Sequence, residues 1–433
     1  MDAYSPEHLT SVWSRIRRHP VSGQVRETAV GVDGTRAENF EANLVAHVAE
    51  ISRRVLRTAE DGLPAYSFAV LLCHEKIKPT GGVRRIHIAR LRDQIVFRAL
   101  HEEVQAAALR AQIDLRVPAP AVTTASFRES LQDRPIVLRT DIQAFYDSVP
   151  RTSAVDRASR LDLHPVSLGL MRRWDSQVLT RPLWMPGTAS DRPIAGLPQG
   201  LSLSASLSEL WISSLDQEAR SRFRYFRYVD DIAVACTSVR EAEDALDWLA
   251  ERMVGLGLRL SAAKTSIRRI EEGVPWLGLV HTGSRVEVEA GRIQRWIHRF
   301  ASIRRQTVEA LRQPEADSAA ILLDFHRALR DEIGGRTSSR PSWYACVDDI
   351  GEWRQLDRVL HTFIRSVYRV AGAPEPRGRQ LPSLHRAIRA RRAALTLSAP
   401  STAEQGQCAT IPVLRGTTAE QGLRAPDGAE NIF

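Results

Sequence analysis

Lysine is nearly missing from this sequence: of 60 basic residues only Lys76, Lys78 and Lys264 are lysine, and 57 are arginine. Cysteine is almost as scarce. Cys73, Cys236, Cys346 and Cys408 stand far apart with no CxxC or Cys/His spacing, which excludes a zinc site of that kind and points to a reducing compartment. No apolar run approaches the roughly 20 residues needed to span a bilayer, and the N-terminus lacks a basic start followed by an apolar stretch. These absences predict a cytoplasmic protein that makes no membrane contact.

What is present suits a large globular chain. With 433 residues, 43% of them hydrophobic, two to three structural units with a substantial core are expected. The net charge of +9 favours a polyanionic partner, nucleic acid first among them, although at 26% charged residues the excess is modest.

Periodicity divides the chain. Residues 1–135 mix helical patterns with a break at Pro79, Gly81 and Gly82, followed by an alternating stretch, Val83 to Ile88, that reads as a hairpin strand. Over 136–282, short apolar strands such as Ile136 to Ile142 and Ile232 to Cys236 alternate with helices near Leu203 to Leu215 and Arg240 to Leu256, the latter stopped by Gly257. From about 290 strand signals cease. Ile293, Trp296, Ile297, Phe300 and Ile303 mark one basic helix, and Trp353, Leu356, Leu360, Phe363, Ile364 and Val367 a second. From 397 to 433 the composition lacks periodicity, and a disordered tail is expected.

The chemistry is carried by carboxylates. In FRYFRYVDDIAVAC, residues 223–236, two β-prone runs flank Asp230 and Asp231, an arrangement suited to a hairpin turn. Alone, such a pair is an ordinary solvated turn. In IVLRTDIQAFYD, residues 136–147, an apolar strand ends in Asp141, an acid that needs a partner to offset its desolvation. An N-cap or salt bridge would serve, and so would divalent cations: phosphoryl transfer by the two-metal route needs carboxylates from separate elements around ions roughly 4 Å apart.

Taken in order, the segments resemble the reverse transcriptases over residues 30–285. TDIQAFYD (140–147), GLPQGLSLSASLSELWISSLD (196–216), YVDD (228–231), LSAAKT (260–265) and VPWLGLV (274–280) are similar to the five palm motifs. IKPTGGVRRIHIARLRDQIVFRAL (77–100) is similar to the fingers motifs, and GVDGTRAENF (31–40) to a segment of group II intron and related bacterial enzymes. The resemblance implies an α+β right-hand polymerase: fingers at 1–135, a palm with an antiparallel sheet backed by helices at 136–282, interrupted by a fingers insertion at about 151–195, and a helical thumb with a basic extension at 283–396.

It also implies roles. Asp141 and Asp230 would bind two Mg²⁺ ions, with Mn²⁺ as a substitute, and Asp231 would support them. Tyr146 matches an aromatic gate that rejects a ribose 2′-hydroxyl; its bland alternative is a core aromatic. Gln199 and Gly200 match the loop that packs on the incoming nucleotide. Lys78 and Arg84 match triphosphate-holding positions, with Lys76 and Arg85 as competitors. Lys264 matches a lysine that protonates the leaving pyrophosphate, a task for a titratable cation rather than arginine. That lysine persists there in so arginine-rich a chain suggests resistance to replacement. Arg292, Arg295, Arg299, Arg304 and Arg305, with Arg386, Arg389, Arg391 and Arg392, could track a template-primer backbone or be solvated faces.

Departures narrow the subgroup. The second motif reads Pro-Gln-Gly-Leu, with Ser204 and Ala205 where intron enzymes carry Ser-Pro, and no Cys/His-rich endonuclease segment follows. This pattern resembles the unknown-group and abortive-infection bacterial enzymes, implying RNA-directed DNA synthesis from dNTPs on a dedicated non-coding RNA in defence against phages, with oligomerisation left open. The rival expectations are an RNA-folding maturase, a template-independent or protein-primed polymerase, and a scaffold.

Overall fold

The computed structural model describes residues 4–18, 25, 28–77, 82–118, 120–183, 191–283, 285–334, 347–348, 351–377, 381–384 and 386. Lys78, Pro79, Gly81, Arg389, Arg391, Arg392, Cys346, Cys408 and the expected disordered tail lie outside them. Helix α1 (Pro6–Arg17) starts where the Ser5 hydroxyl accepts the His8 N–H and Pro6 fixes the first helical φ. It packs with α3 (Leu44–Leu56), which follows the short α2 (Ala37–Ala42). Strand β1 (Leu71–Ile77) pairs antiparallel with β2 (Val83–Ile88), the strand foreseen there, setting Lys76 opposite Arg84 and Glu75 opposite Arg85. Helices α4 (Leu91–Arg110) and α5 (Pro120–Ser130) lead to the centre of the chain.

There β3 (Ile136–Asp141) is followed by α6 (Phe145–Ser148), α7 (Arg151–Ala158) and α8 (Pro165–Gln177). Strands β4 (Leu179–Pro182) and β5 (Arg192–Pro193) return to the first hairpin, giving a sheet of order β2-β1-β4-β5 in which β1 and β4 run parallel. Helix α9 (Ser202–Arg222), strands β6 (Arg224–Tyr228) and β7 (Asp231–Cys236), helix α10 (Val239–Gly255) and strand β8 (Ser266–Arg269) complete an antiparallel sheet of order β6-β7-β3-β8. Helix α9 runs past the ends foreseen from apolar spacing because polar residues continue it, with Arg220 and Arg222 in its last turn; α10 begins at Val239, behind its N-cap Ser238, and ends at Gly255, just short of the foreseen Leu256.

Alternation of side chains gives this sheet two buried faces. Ile136, Leu138, Ile232, Val234 and Cys236 join the large core under α9 and α10, while Val137, Ala233 and Ala235 pack with Phe127, Ile270, Val274 and Trp276. Beyond it lie β9 (Val274–Trp276), β10 (Leu279–Thr282), β11 (Arg285–Val288) and helices α11 (Ala290–Leu311), α12 (Ser318–Gly334) and α13 (Gly351–Val370). Their apolar stripes close a separate core around Trp296, Phe300, Phe325, Trp353 and Leu360. The α+β class expected from the sequence holds. Among the described residues no helix is long and apolar enough to cross a membrane.

The small core supports the face of the sheet that carries the candidate site, and Trp276 is fully buried in it, its ring 4.6 Å from that of Phe127. Trp276→Ala is expected to destabilise the protein by about 3–5 kcal/mol, measured as a lower denaturant midpoint.

Candidate functional site

Strand β3 ends and β7 begins on paired residues, so Asp141 faces Asp231 directly. The Ile142 N–H donates to the Asp230 carbonyl at 2.8 Å, fixing the third carboxylate beside them. Alternation places Arg139, Asp141 and Asp231 on one face, and Arg139 reaches diagonally to Asp231 at 3.4 Å. Tyr228 pairs with Asp231, leaving Val229 and Asp230 as a two-residue turn. Val229 sits at φ 58, a left-handed conformation that a β-branched residue adopts only under strain.

Lys264 closes the site from β8's side. Its Nζ lies 2.6 Å from Asp141 Oδ2, and it stands on a 3-10 turn, Ala262–Lys264, anchored to the same strand end. The Ser261 N–H donates to the Asp141 carbonyl at 2.7 Å, and the Thr265 and Thr140 hydroxyls share a 2.7 Å hydrogen bond. Burial pushes the Asp230 carboxyl above the usual carboxylate range, the Asp141 charge pushes it further, and Lys264 and Arg84 oppose. Burial likewise raises Asp231, against the pull of Arg139.

Among the described residues no three His, Cys, Asp or Glu side chains are gathered into a metal cage. Asp141 is turned to Lys264 and Asp231 to Arg139. The donor set nevertheless fits a hard divalent cation, because it is all carboxylate oxygen. The repulsion between Asp141 and Asp230 is of the kind such a charge relieves.

The residues expected on the nucleotide side are linked through backbone contacts. Tyr146 is half-buried on α6, its hydroxyl near Ser208 of α9 and raised in pKa by burial. Its carbonyl accepts the Leu197 N–H at 2.8 Å, and a Cβ at Gly196 would stand 2.5 Å from that carbonyl oxygen, so only glycine fits. The Gln199 carbonyl accepts the His87 N–H at 2.7 Å, which docks the loop on β2, and Gly200 takes φ 114 with no room for a Cβ against the His87 carbonyl. Arg85 pairs with Glu75 at 3.2 Å, whereas the Arg84 charge acts on Asp230. The hairpin thus separates the two arginines that the sequence left in competition. Lys76 is exposed opposite Arg84.

On α11, Arg295, Arg299 and Arg305 are exposed and Arg292 and Arg304 half-buried; Arg299 pairs with Glu332 at 2.7 Å and Arg304 with Ser366 at 2.7 Å. Arg386 donates to the Leu381 carbonyl. Sequence reading missed Arg139, Arg227, Glu209, Asp216 and Ser208. The signal for Arg227 was a charge on the strand face that alternation turns toward α9.

Carboxylates at the joined ends of two antiparallel strands, a lysine turn and a glycine loop beside an aromatic residue make up the candidate site. Residues 76–281 match the family Reverse transcriptase (RNA-dependent DNA polymerase), and that match supports an RNA-directed DNA polymerase, a nucleotidyltransferase. Similar solved structures are telomerase from Candida albicans with a TWJ fragment of telomeric RNA (11% identity, 88% of this chain and 72% of that one, TM-score 0.41) and apo telomerase from Candida tropicalis (12%, 88% and 75%, TM-score 0.43). A Candida tropicalis apo telomerase lacking its C-terminal domain is also similar (14%, 52% and 56%, TM-score 0.39). No curated protein sequence matches the chain.

A raised carboxyl pKa stabilises the fold below the ordinary carboxylate range, and that contribution is lost as pH rises through the raised value. In metal-free buffer, Asp230→Asn should therefore melt above wild type at neutral pH, with the gap closing on acidification; a gap independent of pH would contradict the assigned burial and repulsion.

Proposed function

We propose that this enzyme extends a DNA primer on an RNA template by two-metal phosphoryl transfer at Asp141 and Asp230, with Asp231 in support. The observation that carries the reading is the register that sets Asp141 against Asp231 and bonds Ile142 to Asp230. Two Mg²⁺ ions on these carboxylates would activate the primer hydroxyl and stabilise the leaving pyrophosphate. Asp231, held by Arg139, keeps the hairpin in place. Lys264 lies on Asp141 and would offset its charge, and its ammonium would supply the proton that the leaving pyrophosphate oxygen takes up. Arg84, with Lys78, grips the triphosphate, and the guanidinium suits that task by offering paired donors.

Tyr146 lies under the sugar, where its ring excludes a 2′-hydroxyl, and the Gln199 and Gly200 backbone packs on the incoming base. Residues 1–135 with 151–195 act as fingers, the rest of 136–282 as palm and 283–396 as a thumb. The joining of β4 to β1 supports grouping that insertion with the first hairpin. Exposed Arg295, Arg299 and Arg305 offer the thumb a face for the duplex backbone.

The template on this reading is a dedicated non-coding RNA copied in anti-phage defence by a cytoplasmic bacterial enzyme, supported by the second-motif departures at Leu201, Ser204 and Ala205. Loss of the locus, with any adjacent RNA gene, should raise phage sensitivity; unchanged sensitivity would refute the defence role. Purified protein with its co-purifying RNA, Mg²⁺ and dNTPs should make DNA, and an Asp230→Ala, Asp231→Ala variant should make none. Sequencing the product identifies the template. DNA without any template would favour template-independent or protein-primed synthesis, and no synthesis on any RNA or primer would favour the maturase or scaffold.

A further inference from the structure

One buried cation lies behind the site. Arg227 faces α9, where its guanidinium grips Asp216 through Nε at 2.9 Å and Nη2 at 2.5 Å, and Glu209 through Nη2 at 2.6 Å and Nη1 at 3.2 Å. Nη1 also donates to the Val229 carbonyl at 2.7 Å, inside the turn that presents Asp230. Asp216 accepts in addition from the Tyr225 hydroxyl at 3.0 Å. Burial alone would pull the guanidinium down, but the two carboxylates hold it well above its ordinary pKa, so the cation is permanent.

On the same helix Ser208, beside Glu209, donates its hydroxyl to the Ala205 carbonyl at 3.0 Å and stands near the Tyr146 hydroxyl. Tyr146 lies within the fields of Glu209, Asp230 and Arg227. Two groups proposed for separate tasks therefore meet at one helix: the turn of the metal carboxylate is fastened to α9 through the Arg227 guanidinium, and the sugar-facing ring lies beside the same helix in the field of that charge. Val229 holds the positive φ that a two-residue hairpin turn favours at its first position, with a β-branched side chain that fits there poorly, so a further hold on its carbonyl helps to keep the turn in place.

We infer that Arg227 is a positioning residue that couples the two: it holds the Val229–Asp230 turn at the height that metal binding requires and keeps α9, with Ser208 and Glu209, at the distance that seats Tyr146 against the sugar. The inference rests on the polymerase reading only for its nucleotide half. A lysine in its place keeps the charge but lacks the planar fork, and cannot hold Asp216, Glu209 and the Val229 carbonyl together.

The test compares full-length wild type with Arg227→Lys and with Glu209→Gln, the latter isosteric and less disruptive, after circular dichroism shows each folded. Mn²⁺ affinity by calorimetry and dNTP-over-rNTP selectivity are the readouts. Arg227→Lys should weaken Mn²⁺ binding about tenfold and lower selectivity by a similar factor, as the loss of a charge-assisted bond predicts. Glu209→Gln should shift both in the same direction and by less. Wild-type metal affinity and selectivity in a folded Arg227→Lys protein would overturn the coupling, and if that variant does not fold, the same result in Glu209→Gln would do so. If wild type makes no DNA, the polymerase reading fails instead, and Mn²⁺ affinity alone still decides whether the clamp sets the carboxylates.

Discussion

The site depends on containing three negative charges at the end of one sheet. Asp141, Asp230 and Asp231 are brought together by backbone pairing, which is indifferent to charge, and burial raises the cost of their repulsion. Each carboxylate is answered differently: Lys264 lies on Asp141, Arg139 on Asp231, and Asp230 is met by its own backbone N–H and the more distant fields of Lys264 and Arg84. The surrounding turns serve that balance. Ser261 and Thr265 tie the lysine turn to the strand bearing Asp141, so the ammonium cannot drift from the charge it offsets.

Much of this was legible in the chain because it obeys local periodicity. The acid closing an apolar strand and the acid pair in a hairpin needed only alternation, and the strand at Val83–Ile88 appears with the bounds that its alternation suggested. What stayed hidden depends on contacts far apart in sequence. Nothing local says that Arg139 will reach Asp231, that β4 will lie parallel to β1, or that Arg84 rather than Arg85 will act on the site. The choice between those arginines follows from register, which sets Arg85 against Glu75. Glu209 and Asp216 read as polar positions of an amphipathic helix until β6 brings a guanidinium to them.

The cores divide labour in a way that bears on tolerance to change. The large one joins the helices to one face of the sheet, the small one supports the opposite face, and a third lies within the C-terminal helices. The carboxylates share the face of the small core, so their footing depends on few large side chains, Trp276 and Phe127 foremost.

The pairing of β3 with β7 has a final consequence. Side chains alternate with a period of two, so a slip of one residue would send Asp231 to the opposite face and drive Ile232 and Val234 out of the large core. No half-shifted arrangement keeps the core and loses only part of the site. Competence here is a yes-or-no property of each molecule: a preparation holds working and dead copies in some ratio, and its mean rate counts the former.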